Sequence, residues 1–162
     1  MTNIPPSVLP PLLADAMLGR LSRWLRLLGY DTLYAPALSD CQIAARARAE
    51  GRIVLTRDQH LARRKGIRCL LIQSQALEEQ IRQVLTMLGA PLQEARPRCP
   101  VCNAVLSQAS PAQVRPFVPA YVFKTHRRFH HCPTCDRYYW PGSHWENIQS
   151  TIEQIKRDAE QV

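Results

Sequence analysis

Two cysteine pairs and three aspartates are the residues of this 162-residue chain whose types and spacing point to chemistry. Cys99-Pro100-Val101-Cys102 and Cys132-Pro133-Thr134-Cys135 are CxxC knuckles with 29 residues between them. Each can supply two sulfurs to one tetrahedral ion, the pattern of a structural four-thiolate zinc site. Disulfide pairing is the competing reading. The N-terminus lacks the apolar stretch of a secretion signal, and the leftover Cys41 and Cys69 fit a reducing compartment better. A redox CxxC would open a helix after a strand, whereas each pair here sits in a Pro-bearing turn. His126, His130 and His131 are near enough to replace a cysteine, which four well-spaced thiolates make unnecessary.

Asp15, Asp40 and Asp58 would do different work if the chain brought them together. Their hard oxygens favour Mg²⁺ or Mn²⁺ over zinc. A cation held this way can activate a water and stabilise the leaving oxygen of a phosphodiester. Taken singly, each aspartate is more often a helix N-cap, and Asp40 in particular could do only that. Convergence of all three is what carries the reading, and it depends on the elements between them.

Residues 12–14 are a short apolar run suited to a buried strand that ends at Asp15. Over 17–28, Leu18, Leu21, Leu25 and Leu28 share a helical face, with Gly29 as the stop. A second strand is expected over 32–34. Ser39 stands three before Gln42 in a capping-box arrangement that opens a helix through about Glu50, and Gly51 closes it. Strands at 53–55 and 69–72 flank a short helix over 59–65, and 77–88 is an amphipathic helix ended by Gly89. Buried strands alternating with helices imply right-handed crossovers and a parallel sheet. In such a sheet the ligand site lies beyond the carboxyl ends of the strands. Asp15, Asp40 and Asp58 all fall at that edge. Asp31 lies at the opposite edge, so the same logic assigns it a turn or capping role.

Composition bounds the rest. At 46% apolar and 21% charged, the chain can form one compact core plus a small metal-stapled module. No apolar run approaches the roughly 20 residues of a membrane helix, so a soluble, cytoplasmic protein is expected. The formal net charge of +8 suits a polyanionic partner or simple solubility. It is spread over both parts of the chain: Lys and Arg outnumber Asp and Glu 12 to 8 in residues 1–95 and 9 to 5 in 96–162. The expected organisation is a Pro-rich leader over 1–11, an α/β domain at 8–92, a linker at 93–98, a zinc ribbon at 99–145 and a charged helix over 145–160.

The run Asp15-Ala16-Met17-Leu18-Gly19-Arg20-Leu21-Ser22-Arg23-Trp24-Leu25-Arg26-Leu27-Leu28-Gly29-Tyr30-Asp31 closely resembles the opening of the Mut-7 C-terminal RNase family, a branch of the PIN-like nucleases. Gly51-Arg52-Ile53-Val54-Leu55-Thr56-Arg57-Asp58 resembles its second motif. The knuckles with Tyr139-Trp140-Pro141-Gly142-Ser143-His144-Trp145 resemble its zinc-ribbon tail. The resemblance covers nearly everything from Leu12 to Trp145. It implies a PIN-like fold and a metal-dependent ribonuclease. The family's acidic positions fall on Asp15, Asp40 and Asp58, the same three reached from topology. PIN nucleases often use a fourth acid, for which this chain offers no obvious candidate; Glu50 lies a full helix away from Asp40.

The substrate side rests on cations around the carboxylates. Arg20, Arg23 and Arg26 recur every three residues on the first helix as a stripe that could track RNA phosphates, and Arg57 adjoins Asp58. A solvated helix face, or Arg57 pairing with a nearby aspartate, is the alternative. Arg63, Arg64 and Lys65 read as a helix end complementing its dipole. In the ribbon, 121–123 and 129–131 are expected strands, with Arg127, Arg128, His130 and His131 approaching the second knuckle. Interleaved aromatics and cations can hold single-stranded RNA, although Tyr138, Tyr139, Trp140 and Trp145 suit docking of so small a module onto its neighbour. His144 is a weaker candidate for phosphate or metal. The rival to a ribonuclease is a non-catalytic RNA-binding adaptor that keeps the fold. A third reading, a metal-dependent DNA nuclease, differs from the ribonuclease only in substrate.

Overall fold

The computed structural model describes residues 9–89 and 96–160. Residues 1–8 of the Pro-rich leader, residues 93–95 of the expected linker and the side chain of His144 lie outside the described residues. The first part is a four-stranded, all-parallel sheet of order β2-β1-β3-β4, built from β1 (Leu12–Ala14), β2 (Thr32–Tyr34), β3 (Ile53–Thr56) and β4 (Cys69–Leu71). Helices α1 (Gly19–Leu27), α2 (Asp40–Glu50), α3 (Gln59–Ala62) and α4 (Leu77–Leu88) follow the four strands in turn. A 3₁₀ turn, Ala16–Leu18, precedes α1.

Strand alternation sorts the core into two layers. Leu12, Ala14, Ile53 and Leu55 face the leucines of α1 and Ile81, Val84 and Leu85 of α4. Leu13 and Val54 face the opposite layer, formed by Ile43 and Ala47 of α2 and Leu61 of α3. The leucine spacing of α1 thus does what its periodicity implies: Leu18, Leu21 and Leu25 are each at most 1 % exposed. Truncating one of them to alanine costs about 2–5 kcal/mol. The α2 capping box forms as expected, with Ser39 as the cap and Asp40 as the first helical residue, and Gly51 ends the helix at φ 64°. The helix expected over 59–65 stops at Ala62, because Leu61 is its one buried anchor and the following residues are cationic.

The second part is an antiparallel sheet of order β5-β6-β7: β5 (Ser107–Ala109), β6 (Phe129–Cys132) and β7 (Arg137–Tyr139). Between β5 and β6 lie two short helices, α5 (Pro111–Val114) and α6 (Ala120–Thr125). The strand expected over 121–123 is therefore a helix. Both edges of β6 are already taken by β5 and β7, so this segment satisfies its backbone internally, starting after Pro119 and burying Val122 alone in its helix.

The last helix, α7 (Ser143–Glu160), returns to the first sheet. Ile148, Ile152 and Ile155 complete the α1 and α4 layer, and Trp145 stacks on Trp24 with centroids 6.4 Å apart. Among the described residues no helix is long and apolar enough to cross a membrane.

Candidate active site and metal centre

The carboxyl edge of the parallel sheet carries the acidic residues. Asp15 follows the central strand β1 and is only 7 % exposed. Its Oδ1 accepts from the Met17 amide at 3.0 Å, capping the 3₁₀ turn, and its Oδ2 accepts from the buried Thr56 hydroxyl at the end of neighbouring β3. The same Thr56 oxygen accepts from the Asp58 amide at 2.9 Å. One hydroxyl thus ties the Asp15 carboxylate to the loop that presents Asp58. The Asp58 carboxylate is exposed and caps α3 through the His60 amide at 2.7 Å. Asp40, exposed in the first turn of α2, follows β2 and needs no capping role because Ser39 fills it.

The three aspartates share one edge, but their ligand atoms are not gathered into one tight set. Among the described residues the group of three or more ligating side chains with atoms within 4.8 Å of one another is Cys99, Cys102, Cys132 and Cys135. Carboxylates repel at short range without a cation, and two of these are already engaged by local amides. Their hard oxygens are the donors Mg²⁺ or Mn²⁺ takes.

Around the edge, Arg20 and Arg23 are exposed on α1. Arg57 is half-buried, and its Nε finds no acceptor among the described residues. Tyr34 lies across Gly19, where an added Cβ would come within 3.0 Å of the ring, and its hydroxyl donates to the Ala16 carbonyl at 2.9 Å. Gly19 therefore lets the ring close over the turn beside Asp15. Thr56, Tyr34 and Gly19 were not foreseen as site residues. Thr56 stands within the quoted second motif, and its signal was a hydroxyl at the end of a buried strand next to an acid.

Arg26 departs from the expected phosphate stripe. It is 7 % exposed and turns inward, donating from Nε to the Thr32 carbonyl at 2.8 Å and from Nη1 to the carbonyls of Pro100 at 2.8 Å and Val101 at 3.2 Å. Burial pulls its pKa below the ordinary arginine value, opposed by the sulfurs of Cys99 and Cys102. It joins α1 to the first knuckle. Asp31 does a related job rather than capping a turn. It lies at the amino edge as expected, where it pairs with Arg52 at 3.1 Å and accepts from Asn103 Nδ2 at 2.7 Å. Burial alone would raise the Asp31 pKa; hydrogen bonds from Arg52 and Asn103 hold it below the usual value. Glu50 is occupied by Arg46 and Arg52 at that same end, away from the acidic edge.

The knuckles are near copies of each other. In both, the residue after the second cysteine has positive φ, Asn103 at 68° and Asp136 at 52°, a conformation these two residue types tolerate. All six cysteines of the chain are free thiols. Within the cluster, Cys102 and Cys132 sulfurs are 3.5 Å apart and those of Cys99 and Cys135 4.0 Å. Zinc–sulfur bonds of about 2.3 Å in a tetrahedron place sulfurs about 3.8 Å apart. The donors fit zinc in type, number and spacing. Burial opposes ionisation of Cys99, yet the Tyr139 hydroxyl and the Cys102 and Val101 amides bring its pKa down to about 6. Cys135 is pushed up to about 12 by hydrogen bonding to Cys102 and by burial. Four such sulfurs ionise together only around a cation. Cys69, by contrast, is a lone half-buried thiol raised to about 11 by burial and by Asp15.

A parallel α/β sheet with an acidic carboxyl edge, bolted through Arg26 and Asp31 to a four-cysteine antiparallel ribbon, defines the class of protein. Its family follows from comparison: the model of the Mut7-C RNAse domain matches residues 10–152, and the chain belongs to that family. It is accordingly a nuclease-type hydrolase by family, with RNA as the implied substrate. No curated protein and no solved structure matches the chain.

Proposed function

We propose that the protein is a metal-dependent ribonuclease with a PIN-like fold, in which Asp15, Asp40 and Asp58 hold Mg²⁺ or Mn²⁺ against an RNA phosphodiester. In this reading residues 8–92 are the nuclease unit and 99–145 the zinc ribbon. The observation that carries it is the Thr56 hydroxyl, which couples the Asp15 carboxylate to the Asp58 backbone at the carboxyl edge of the sheet in a chain of an RNase family. A divalent cation there supplies an activated water and charge stabilisation at the scissile phosphate. Asp15 is preset by its two hydrogen bonds, whereas Asp58 and Asp40 are exposed and able to turn toward a shared cation. Arg57, half-buried beside Asp58, and the exposed Arg20 and Arg23 on α1 supply cations for the scissile and flanking phosphates.

The separation of the three carboxylates favours a second reading, an RNA-binding adaptor that cleaves nothing. One experiment decides between them. Labelled single-stranded RNA, structured RNA and single-stranded DNA are incubated with wild type and Asp58→Asn, with Mg²⁺, Mn²⁺ or EDTA, after zinc content and fold are confirmed. RNA cutting that needs the cation and is lost in Asp58→Asn is the expected result. Intact RNA binding without cleavage under any condition would move the assignment to the adaptor.

A further inference from the structure

The helical insert of the ribbon has no part in the acidic edge or the thiolate cluster, yet it exposes the chain's most accessible described aromatics. Tyr121 is 68 % exposed and Phe117 66 %. Phe117 is held in place on one side only. It stacks on Tyr138 with centroids 5.0 Å apart and planes 16° from parallel. Tyr138 in turn packs against His131 at 4.8 Å, and the His131 ring is fixed by Asp136 at 2.8 Å. Three rings therefore stand in file, with Phe117 at the solvent end. Beneath them Ala109, Val114, Val122 and Phe129 form a packed floor. A ring fixed on one side and open to water on the other loses little rotamer freedom when a second flat group stacks on it.

The surroundings are cationic. Residues 110–128 contain Arg115, Lys124, Arg127 and Arg128 and no acid. All four are exposed, and none forms an ion pair among the described residues. Arg115 lies over the Phe123 ring, 5.8 Å from its centre. The negative charge of the cysteine cluster lies across the sheet: Tyr138 pairs with His131 on the insert's side, while Cys132 and Tyr139 belong to the other core. Open aromatic faces set among unpaired cations complement a polymer that carries flat apolar units on an anionic backbone. A duplex hides those faces; a single strand presents them.

We propose that this insert, with Phe117 as its principal ring and Tyr121 as a second exposed ring on the same insert, is a stacking platform for single-stranded RNA, separate from the acidic edge. It deepens the nuclease reading and rests on that reading only for RNA as the polymer. The test is fluorescence anisotropy of the zinc-loaded full chain with a labelled oligouridine and with an RNA duplex, without added Mg²⁺ or Mn²⁺. Variants are Phe117→Ala, Phe117→Trp, the double Phe117→Ala/Tyr121→Ala, and Met87→Ala as an exposed apolar control on α4. Melting curves and zinc content verify each fold. Phe117→Ala is expected to weaken oligouridine binding about five-fold or more, and the double variant further. Phe117→Trp should retain affinity, Met87→Ala should change nothing, and duplex binding should be insensitive. Oligouridine affinity unchanged in the double variant, or absent in wild type, overturns the platform. Phe117-dependent binding in a protein that never cuts RNA retires the nuclease reading alone, whereas cleavage with Phe117-independent binding retires the platform alone.

Discussion

Replacing Arg26 with methionine keeps an aliphatic stem and helix propensity in α1 while deleting the guanidinium that joins it to the first knuckle. Three carbonyl acceptors lose their donor: Thr32 and Pro100 at 2.8 Å and Val101 at 3.2 Å. Hydrogen bonds from a charged donor are worth about 1.5–3 kcal/mol each, but they share one side chain and are not additive. Losing the guanidinium also removes its desolvation cost, which offsets part of the loss. A net cost of about 3 kcal/mol follows, and for a chain of this size that lowers Tm by about 6–12 °C. Because the Arg26 charge faces the sulfurs of Cys99 and Cys102, zinc should also leave about 10-fold faster or bind that much more weakly. The assay is thermal unfolding followed by circular dichroism at saturating zinc, with zinc release to a chromogenic chelator measured in parallel. Arg23→Met, on the exposed part of the same stripe, is the control and should melt like wild type. Arg26→Met melting and releasing zinc like Arg23→Met, while losing RNA affinity, would refute the structural assignment and restore Arg26 to the phosphate stripe.

Three further outcomes are expected. Thr56→Val removes the hydroxyl shared by Asp15 and Asp58, so it should cost about 1–2 kcal/mol in denaturant unfolding and lower RNA cleavage without altering zinc content; unchanged cleavage would separate Thr56 from the site. Stripping zinc, or Cys132→Ser, should collapse the near-ultraviolet circular dichroism of the ribbon, since a four-thiolate ion contributes on the order of 10 kcal/mol to folding such modules; an unchanged spectrum at zero zinc would show that the ribbon folds alone. The folded-state pKa of Asp31 is depressed, so its stabilising effect is fully present above its unfolded value of about 3.9 and is lost as pH falls through the folded value. The Tm gap between wild type and Asp31→Asn should therefore be constant near neutrality and shrink on acidification below about pH 4, and a gap that widens there would reverse the sign of the linkage.

Local periodicity and spacing were enough for the elements that stand on their own residues. Leucines three and four apart commit 17–28 to a helix, Ser39 with Gln42 starts the next, and apolar triplets before acids make buried parallel strands whose carboxyl edge collects Asp15, Asp40 and Asp58. CxxC spacing likewise sets two sulfurs of each knuckle on one local turn, and the match of the two knuckles marks them as halves of one four-sulfur site, which the ribbon fold then brings together. What depends on groups far apart in the chain was decided only by the tertiary structure. Nothing local tells that Arg26 turns inward to meet a knuckle 74 residues later while Arg20 and Arg23 stay in water, since all three repeat on one helix with the same chemistry. Residues 121–123 have strand-forming side chains, but the strand they would join has both edges filled, so they coil into α6. Asp31 reads as a turn residue until Arg52 and Asn103 arrive from two other parts of the chain, and the isoleucines of α7 show their purpose only when the helix folds back over α1 and α4. A side chain's own neighbours in sequence determine its local conformation, whereas its partners are determined by whichever segments the fold carries to the same place.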